Sequence, residues 1–326
     1  MNQKFIQFER HPGVLLIGWV ALALLFQTIS FVPLLFAAEN TVIIFRSQQI
    51  AAYNEAIQGF EEGCEGKNIK IKTIYDLHGD TEEARRIIQM VKETTPKPNA
   101  ILTVGVLAAT LVKEHFPGIP IIFCMVINHD RFNLQGTNIT GISSEASIED
   151  QFAVLQEILG PHKNIGVIYD PSKTRKMVAQ ATVVAKQFDF NLVKTEVIQE
   201  KEVESALKNI TNKIDALWVI PDSTVITQNT LKTIPRIIRE HRLPIFSTSD
   251  AIVKAGALIA VSPNYRYTGI QAAQLAQMLL TNPETSSLGV QQPGRLKLTL
   301  NTQTAKAIGI KLSSIQSYPD VVLYPQ

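Results

Sequence analysis

The chain has 326 residues, of which 45% are hydrophobic and 18% are charged. This length and composition allow a large buried core, predict two lobes rather than one, and exclude the disordered and fibrous classes of protein. The net charge is only +2, and Lys and Arg are scattered singly among Asp and Glu, so no nucleic acid or other polyanionic partner is expected.

Residues 1–38 have the pattern of an export signal. Two basic residues precede an apolar run from Val14 to Phe36, and Ala37-Ala38 follows it before a polar start. This pattern predicts an exported protein with a periplasmic or other extracytoplasmic location. Two outcomes stay open for the segment. Polar residues and Pro33 inside the run favour removal as a signal peptide, whereas its length would allow residues 14–36 to remain as a membrane anchor.

The two cysteines are predicted to be free thiols. Cys124 lies inside the apolar run Ile121–Val126, and Cys64 lies at the predicted end of a helix. A buried cysteine in an apolar strand behaves as a small hydrophobic residue, so we do not expect these two residues to form a disulfide.

Apolar strand-like runs alternate with helical patterns after the export segment. Strands are predicted at Thr41–Phe45, Ile69–Tyr75, Ala100–Val104 and Ile121–Val126, and helices at Ala52–Glu62, Thr81–Glu93 and Val106–His115. Repeated strand–helix units with continuously apolar strands predict a parallel sheet that is covered on both faces. This sheet is the expected core of the first lobe.

A second series of the same kind follows a polar, glycine-punctuated stretch, Gln135–Ser143. Its strands are predicted at Ile165–Tyr169, Asn191–Val197, Ala216–Ile220 and Ile245–Phe246, and its helices at Ile148–Leu159, Lys173–Phe188, Glu200–Ile210 and Thr224–Glu240. Pro235 is expected to kink or divide the last of these helices. The pattern predicts a second parallel α/β lobe of similar size.

The rest of the chain contains one marked change of direction. A predicted strand at Ala257–Val261 ends in the bend Ser262–Tyr265, and a long helix begins at about Thr268. A strand that ends in a proline and restarts as a helix is a place where a chain can change domain. A further strand at Arg295–Leu300 and a short helix at Thr302–Ile308 complete the predicted elements.

An ordered series of short motifs resembles a known family. The motifs are Phe45-Arg-Ser-Gln48, Val104-Gly105, Asn138-Ile-Thr-Gly141, Ile165-Gly-Val-Ile-Tyr-Asp-Pro171, Ile220-Pro-Asp222, Gly256-Ala-Leu258, Asn264-Tyr265 and Gly269. Over residues 41 to about 312 they resemble the substrate-binding proteins of ABC transporters, a family with the type I periplasmic-binding-protein fold that includes tryptophan- and other aromatic-amino-acid-binding members. No single motif is diagnostic, whereas their order is.

The resemblance implies an α/β fold of two parallel-sheet, Rossmann-like lobes joined by a three-segment hinge. Lobe one would comprise residues 39–140 plus 264–293, and lobe two residues 141–263 plus 294–326. The crossovers would lie near Asn138–Ser143, Ser262–Tyr265 and Gln291–Leu298.

The implied function is that of a monomeric solute-binding protein. It would enclose an amino-acid-like or aromatic small molecule and present it to a membrane ABC permease. The alternative is a membrane-associated ligand sensor that feeds a signalling receptor. The sequence has no Gly-x-Ser-x-Gly elbow and no Gly-x-x-x-x-Gly-Lys phosphate loop, and its six histidines lack metal-ligand spacing. We therefore predict no enzyme activity, no cofactor and no metal.

Elementary geometry predicts where the ligand lies. In open parallel sheets, ligands bind beyond the carboxyl ends of the strands. The candidates there are Ser47, Gln48, Gly105, Val106, Ile127 and Asn128 from lobe one, Tyr169, Ser172, Thr174, Asp222, Ser223, Ser247, Thr248 and Asp250 from lobe two, and Asn264 on the middle crossover. One polar cluster alone is more often a helix cap than a ligand contact, but several at equivalent ends of two sheets favour a cleft.

Individual roles follow as hypotheses. Ser47, Gln48 and the amides of Gly105-Val106 would hold a ligand carboxylate, Asp222 would receive an ammonium, and Tyr169 or Phe246 would cover an apolar or ring portion.

The chain also departs from the family pattern at three places. Gly105-Val106 stands where the family usually has Gly-Thr, Asn128-His129 where it often has Asp-Pro, and Asn264-Tyr265 where it often has Asp-Tyr. A hydroxyl and two carboxylates are thus missing near the cleft, and the identity of the ligand stays open. His129 is the histidine nearest to the proposed cleft, and a ligand contact is the minority interpretation for it.

Overall fold

The computed structural model describes residues 39–282, 284–315 and 318–325. The predicted signal or anchor segment, residues 1–38, lies outside the described residues. In the described part of the chain, no helix combines the length and apolar character needed to span a bilayer.

The described residues form thirteen strands. In chain order they are β1 Asn40–Arg46, β2 Ile69–Asp76, β3 Ala100–Val104, β4 Ile121–Val126, β5 Ile139–Ser143, β6 Lys163–Tyr169, β7 Phe190–Glu196, β8 Ala216–Val219, β9 Ile245–Ser247, β10 Ile259–Pro263, β11 Gly289–Gln291, β12 Leu296–Asn301 and β13 Val321–Tyr324.

Ten α-helices connect these strands within the described ranges. They are α1 Ala51–Cys64, α2 Thr81–Glu93, α3 Val106–His115, α4 Ile148–Leu159, α5 Pro171–Ala185, α6 Val203–Ile210, α7 Thr230–Glu240, α8 Asp250–Lys254, α9 Tyr265–Thr281 and α10 Thr302–Ile308. Short 3-10 turns occupy His129–Phe132, Lys186–Phe188, Glu200–Glu202 and Thr211–Lys213.

The strands form two sheets. The first has the order β11-β5-β4-β3-β1-β2, and all of its strand pairs are parallel. The second has the order β13-β12-β10-β9-β8-β6-β7 and is parallel except where β10 meets β12. The sequence prediction of two mainly parallel α/β sheets is confirmed. Strands β3, β4 and β8 are buried along their whole length, as expected for strands that are covered on both faces.

The chain passes between the two sheets three times. It leaves the first sheet after β5, returns to it from β10 through α9 and β11, and leaves it again for β12. Side chains brace the second and third passages. The side chain of Gln271 in α9 accepts a hydrogen bond from the Gly294 amide and donates one to the Gln292 carbonyl, while Asp320 pairs with Arg295 and accepts from the side chain of Asn264.

Three strands were not predicted from the sequence. Residues Ile139–Ser143 were expected to be a polar crossover, but they form the fully buried strand β5 of the first sheet. Strands β11 and β13 were also missed, because they are only three and four residues long. The lobe boundaries at residues 140, 263 and 293 stay predictions.

Several helix starts differ from the prediction by two to six residues, and hydrogen bonds account for two of them. The helix expected at Thr224 begins at Thr230, where the backbone N–H groups of Thr227 and Thr230 each donate to the other residue's hydroxyl, and it continues undivided through Pro235. The long helix expected at Thr268 begins at Tyr265, because the Asn264 side chain accepts a hydrogen bond from the Tyr267 amide and caps it.

The two cysteines are unpaired and buried, which confirms the prediction of free thiols. Burial raises the pKa of Cys64 to about 11 and that of Cys124 to about 12. At neutral pH both side chains are therefore protonated, unreactive core residues.

Helix α9 packs directly on α1 through glycine. A Cβ at Gly269 would overlap the carbonyl oxygen of Ala56, and a Cβ at Gly59 would overlap that of Arg266. The two helix backbones therefore approach more closely than any larger residue would allow. This contact fixes α9, the helix that follows the second crossover, onto the first sheet.

We expect Gly269→Ala to lower the free energy of unfolding by about 1–3 kcal/mol, because the new methyl group meets backbone rather than a flexible side chain. Urea unfolding measures this difference. Gly118→Ala is the matched control, since Gly118 has open space around it and should change stability by less than about 0.5 kcal/mol. Equal stabilities for the two variants would contradict the close contact.

Candidate functional site

A cavity of about 540 Å³ lies between the carboxyl ends of the strands of the two sheets. Four segments of the chain form its wall: residues 128–131 after β4, residues 143–151 after β5, residues 171–177 at the start of α5, and the ends of β8 and β9. Gln292 of the third crossover completes the lining. This position and volume are those of a small-molecule site in an open α/β protein.

Four of the fifteen residues predicted from the sequence line this cavity. They are Asn128, Ser172, Thr174 and Thr248. Ile127 is 55% exposed beside them, and Ser223 binds the ammonium group of Lys173, which itself lines the cavity. The rule that ligands lie beyond strand ends therefore identifies the edge of each sheet at which this cavity lies, but only some of the side chains that line it.

Four residues were predicted to hold the carboxylate of a ligand. They lie close together at the start of α3. The Ser47 hydroxyl accepts a hydrogen bond of 2.9 Å from the Ala108 amide, and Gly105 has a φ of 93° that favours glycine. A Cβ at Gly105 would lie 2.6 Å from the Ser47 hydroxyl and 2.7 Å from the Tyr53 hydroxyl. Val106 is half-buried at this helix start, and Gln48 is exposed. The four residues lie together but outside the cavity lining.

Two buried aspartates that follow strands of the second sheet accept hydrogen bonds from each other's loops. Asp222 is 1% exposed, and its carboxylate accepts hydrogen bonds from the amides of Asp170 and Thr224, at 2.8 and 2.9 Å, and from the Thr174 hydroxyl at 2.7 Å. Asp170 in turn accepts from the Thr224 hydroxyl at 2.7 Å and from Ser172. These bonds join the turn after β6 to the turn after β8, so the Asp222 carboxylate is occupied by the protein's own donors.

Hydrogen bonds also favour the ionised form of Asp170. Bonds from Thr224 and Ser172 hold the pKa of Asp170 below its usual value. Because this pKa is lowered on folding, the ionised Asp170 carboxylate stabilises the folded protein. The stabilisation is fully present above the pKa of the unfolded state and is lost as the pH falls through the pKa of the folded state.

The remaining predicted residues have structural partners of their own. Asp250 accepts from Lys297 at 2.6 Å and from Thr299 at 2.7 Å, and Ser247 is buried at the end of β9. The Tyr169 hydroxyl donates to Glu196 at 2.8 Å, while Phe246 is buried within the core of the second sheet. Their roles as ligand contacts stay predictions.

Sequence reasoning missed Glu145, one of the carboxylates that line the cavity. One oxygen of Glu145, Oε2, accepts a 3.1 Å hydrogen bond from the Asn128 amide. The other, Oε1, is buried and has no hydrogen-bond partner among the described residues, and the same is true of Nδ1 of His129. Burial, together with the nearby Asp130 charge, raises the pKa of Glu145 above its usual value despite the Asn128 hydrogen bond. Glu145 lies two residues beyond β5, so recognising that strand would have identified it.

The cavity carries charge of both signs. Glu145, Asp130 and Glu149 contribute carboxylates from the loop after β4 and the segment after β5. Arg131 and the residues Lys173, Arg175 and Lys176 at the start of α5 contribute cations. No group of three or more His, Cys, Asp or Glu side chains that could hold a metal occurs in the part of the chain that the structure describes.

This architecture, two mainly parallel sheets joined by crossovers with a cavity between them, is that of the type I periplasmic binding proteins. A family model described as ABC transporter substrate binding protein matches residues 42–322, and the chain belongs to that family.

Several relatives share this architecture. A tyrosine-binding protein of Clostridioides difficile (strain R20291) is 24% identical over 276 residues, which span 80% of this chain and 79% of the relative. A substrate-binding protein with adhesive properties from Clostridium difficile, solved in a ligand-free, open structure, has a TM-score of 0.74 and 22% identity, and the match covers 87% of this chain and 98% of that one. A Streptococcus pneumoniae domain solved with L-Trp has a TM-score of 0.61 and 19% identity, over 87% and 100% of the two chains.

The family determines the class of function. Its members are extracytoplasmic substrate-binding proteins and not enzymes. The fold and the family expected from the sequence are thus confirmed.

We expect Asp222→Asn to lower the free energy of unfolding by about 2–4 kcal/mol, because the new amide group would oppose backbone N–H donors in a buried place. Chemical denaturation measures the change. Asp189→Asn is the control, since Asp189 is exposed and its left-handed backbone conformation also suits Asn. A stability like that of the control would show that Asp222 does not hold the two turns together.

Proposed function

We propose that the protein captures a small amino-acid-like molecule with an aromatic side chain outside the cytoplasm and presents it to an ABC permease. The class of ligand is suggested by the relatives, one described as tyrosine-binding and another solved with L-Trp. The extracytoplasmic location agrees with the export pattern of residues 1–38.

The observation that carries this proposal is the mixed lining of the cavity. Carboxylates line it from the loop after β4 and the segment after β5, and cations line it from the start of α5. An amino acid has one positive and one negative group a few ångströms apart. A lining with both charges complements such a zwitterion better than it complements a sugar or a simple anion.

An apolar portion of the ligand also has suitable neighbours. Ile148, Ile220 and Met177 line the cavity. Trp218 forms part of the wall, and its indole Nε1 donates to the Gln151 side chain at 2.8 Å, so the ring is held in a fixed orientation. Rigid apolar surface beside charged groups is the usual composition of a site for an aromatic amino acid.

Capture is proposed to occur by hinge closure. The two sheets are joined by the crossovers after β5, β10 and β11, and their cavity opens between the strand ends. Rotation about such segments brings the start of α5 towards residues 128–131 and encloses the ligand. A single chain supplies both walls of the cavity, so a monomer is sufficient.

The sensor alternative depends on retention of residues 14–36 in the membrane. That segment lies outside the described residues, and nothing in the described ranges favours a signalling receptor over a permease as the partner. The description of the matching family as ABC transporter substrate binding protein supports uptake, which is the function that we propose.

A thermal-shift screen of amino acids, purines, sugars and small carboxylates tests the proposed ligand class. We expect L-tyrosine or L-tryptophan to raise the melting temperature. A ligand at 100 times its dissociation constant stabilises the folded state by about 2.7 kcal/mol. If only sugars or purines shifted the transition, the amino-acid proposal would be wrong while the assignment as a solute-binding protein would stand.

A further inference from the structure

Glu145 is placed where two parts of the fold meet. It follows β5 on the first crossover and immediately precedes the start of α4, whose N-cap is Ser147. Its Oε2 accepts from the backbone of Asn128, which belongs to the loop after β4. The bond holds the carboxylate in one orientation against the cavity and occupies only one of its two oxygens.

The second oxygen is chemically unusual. Oε1 of Glu145 is buried and finds no hydrogen-bond partner in the described part of the chain, although the side chain lines the cavity. A buried, half-satisfied carboxylate is unfavourable, because burial removes hydration that nothing else replaces. The free protein thus contains a group that a ligand with N–H donors would stabilise.

His129 provides a second acceptor beside it. Its Nε2 lies 3.6 Å from Asp130, and in the neutral tautomer that has the proton on Nε2 the Nδ1 atom carries a lone pair. Nδ1 is buried and has no partner among the described residues. The ring is held against Phe123, with the centroids 5.9 Å apart. Because His129 follows Asn128 directly, this acceptor and the Glu145 carboxylate both adjoin the same backbone segment.

We propose that Glu145, assisted by His129 Nδ1, binds the ammonium group of the ligand. The proposal rests on the proposed function and makes it more specific: the ligands are primary amines with a second, anionic group. Glu145 Oε1 and His129 Nδ1 are both covered in the ligand-free protein, so the ammonium would reach them as closure of the two sheets moves the lining side chains. Two of its three donors would then meet these two atoms. Asp222, which the sequence suggested for this role, already accepts hydrogen bonds from Asp170, Thr174 and Thr224.

The charges around Glu145 are compatible with this role. Asp130 and His129 face it from the loop after β4, and Glu149 lies on α4. The cations of the same cavity are Arg131 on that loop and Lys173, Arg175 and Lys176 on α5. The α5 cations would meet the ligand's carboxylate, so the two lobes would each hold one end of the zwitterion.

Glu145→Gln tests the proposal by isothermal titration calorimetry. The glutamine oxygen can still accept from Asn128, but the negative charge is removed. The probes are L-tyrosine, L-tryptophan and 3-(4-hydroxyphenyl)propanoate, which is tyrosine without its amino group. We expect the variant to bind the better amino acid at least 10-fold more weakly, and to bind the des-amino compound as weakly as the wild type does. Glu114→Gln, the same change on an exposed residue of α3 outside the cavity lining, should alter affinity less than 2-fold.

The possible results separate the two proposals. If the wild type binds an amino acid and Glu145→Gln binds it equally well, the ammonium site is wrong and the proposed function stands. If the wild type binds the des-amino compound as tightly as L-tyrosine, the ammonium site is again wrong. If the wild type binds neither amino acid, the proposed ligand class fails and the ammonium site fails with it.

Stability of the ligand-free protein provides an independent readout. Burial raises the pKa of Glu145 in the folded state, so the ionised carboxylate destabilises the fold. The wild type therefore loses stability as the pH rises from the pKa of Glu145 in the unfolded state through its pKa in the folded state. Glu145→Gln should therefore melt at a higher temperature than the wild type near pH 7.5, and the difference should shrink in acid. A merely structural role, as a tether for Asn128, requires an equal or lower melting temperature at every pH.

Discussion

The close contact between α9 and α1 is the constraint on which the architecture depends. Gly269 lies against the backbone of Ala56 and Gly59 against that of Arg266, so the helix that follows β10 packs closely on the first sheet. The chain crosses from the second sheet to the first at Asn264 to make this contact, and it crosses back before β12. The second and third passages therefore flank a contact in which only glycine fits.

The acidic residues near the cavity divide into two groups according to their hydrogen bonds. Asp170, Asp222 and Asp250 each accept several bonds from neighbouring loops and strands, so their charges hold the structure together. Glu145 accepts one bond and keeps a buried oxygen without a partner in the described ranges. Binding energy comes from groups that a ligand satisfies better than the free protein does. Groups in unfavourable environments, such as this buried carboxylate, are common at functional sites, because other contacts of the fold compensate for their free-energy cost.

Much of the fold could be predicted from the sequence, because the long apolar strands and amphipathic helices are local signals. The start of the last helix of the second series could not, since the Thr227–Thr230 bonds that begin it depend on the preceding turn. The site was harder to predict. Strand-end reasoning identified the edges of the sheets at which the cavity lies, and Asn128 in its lining. It could not show that the Asp222 carboxylate accepts hydrogen bonds from neighbouring loops, because those contacts form only in the folded chain. Glu145 was missed because β5, with its polar and glycine residues, does not have the pattern of a strand.

The central claim is that an amino acid lies between the two sheets with its ammonium against Glu145. A crystal structure of the complex with the amino acid that stabilises the protein most tests it directly. The account predicts the ligand in the cavity between residues 128–131 and the start of α5, with its amino nitrogen within hydrogen-bonding distance of Glu145 Oε1. A ligand bound elsewhere on the protein, or one whose amino group points away from Glu145, would contradict it.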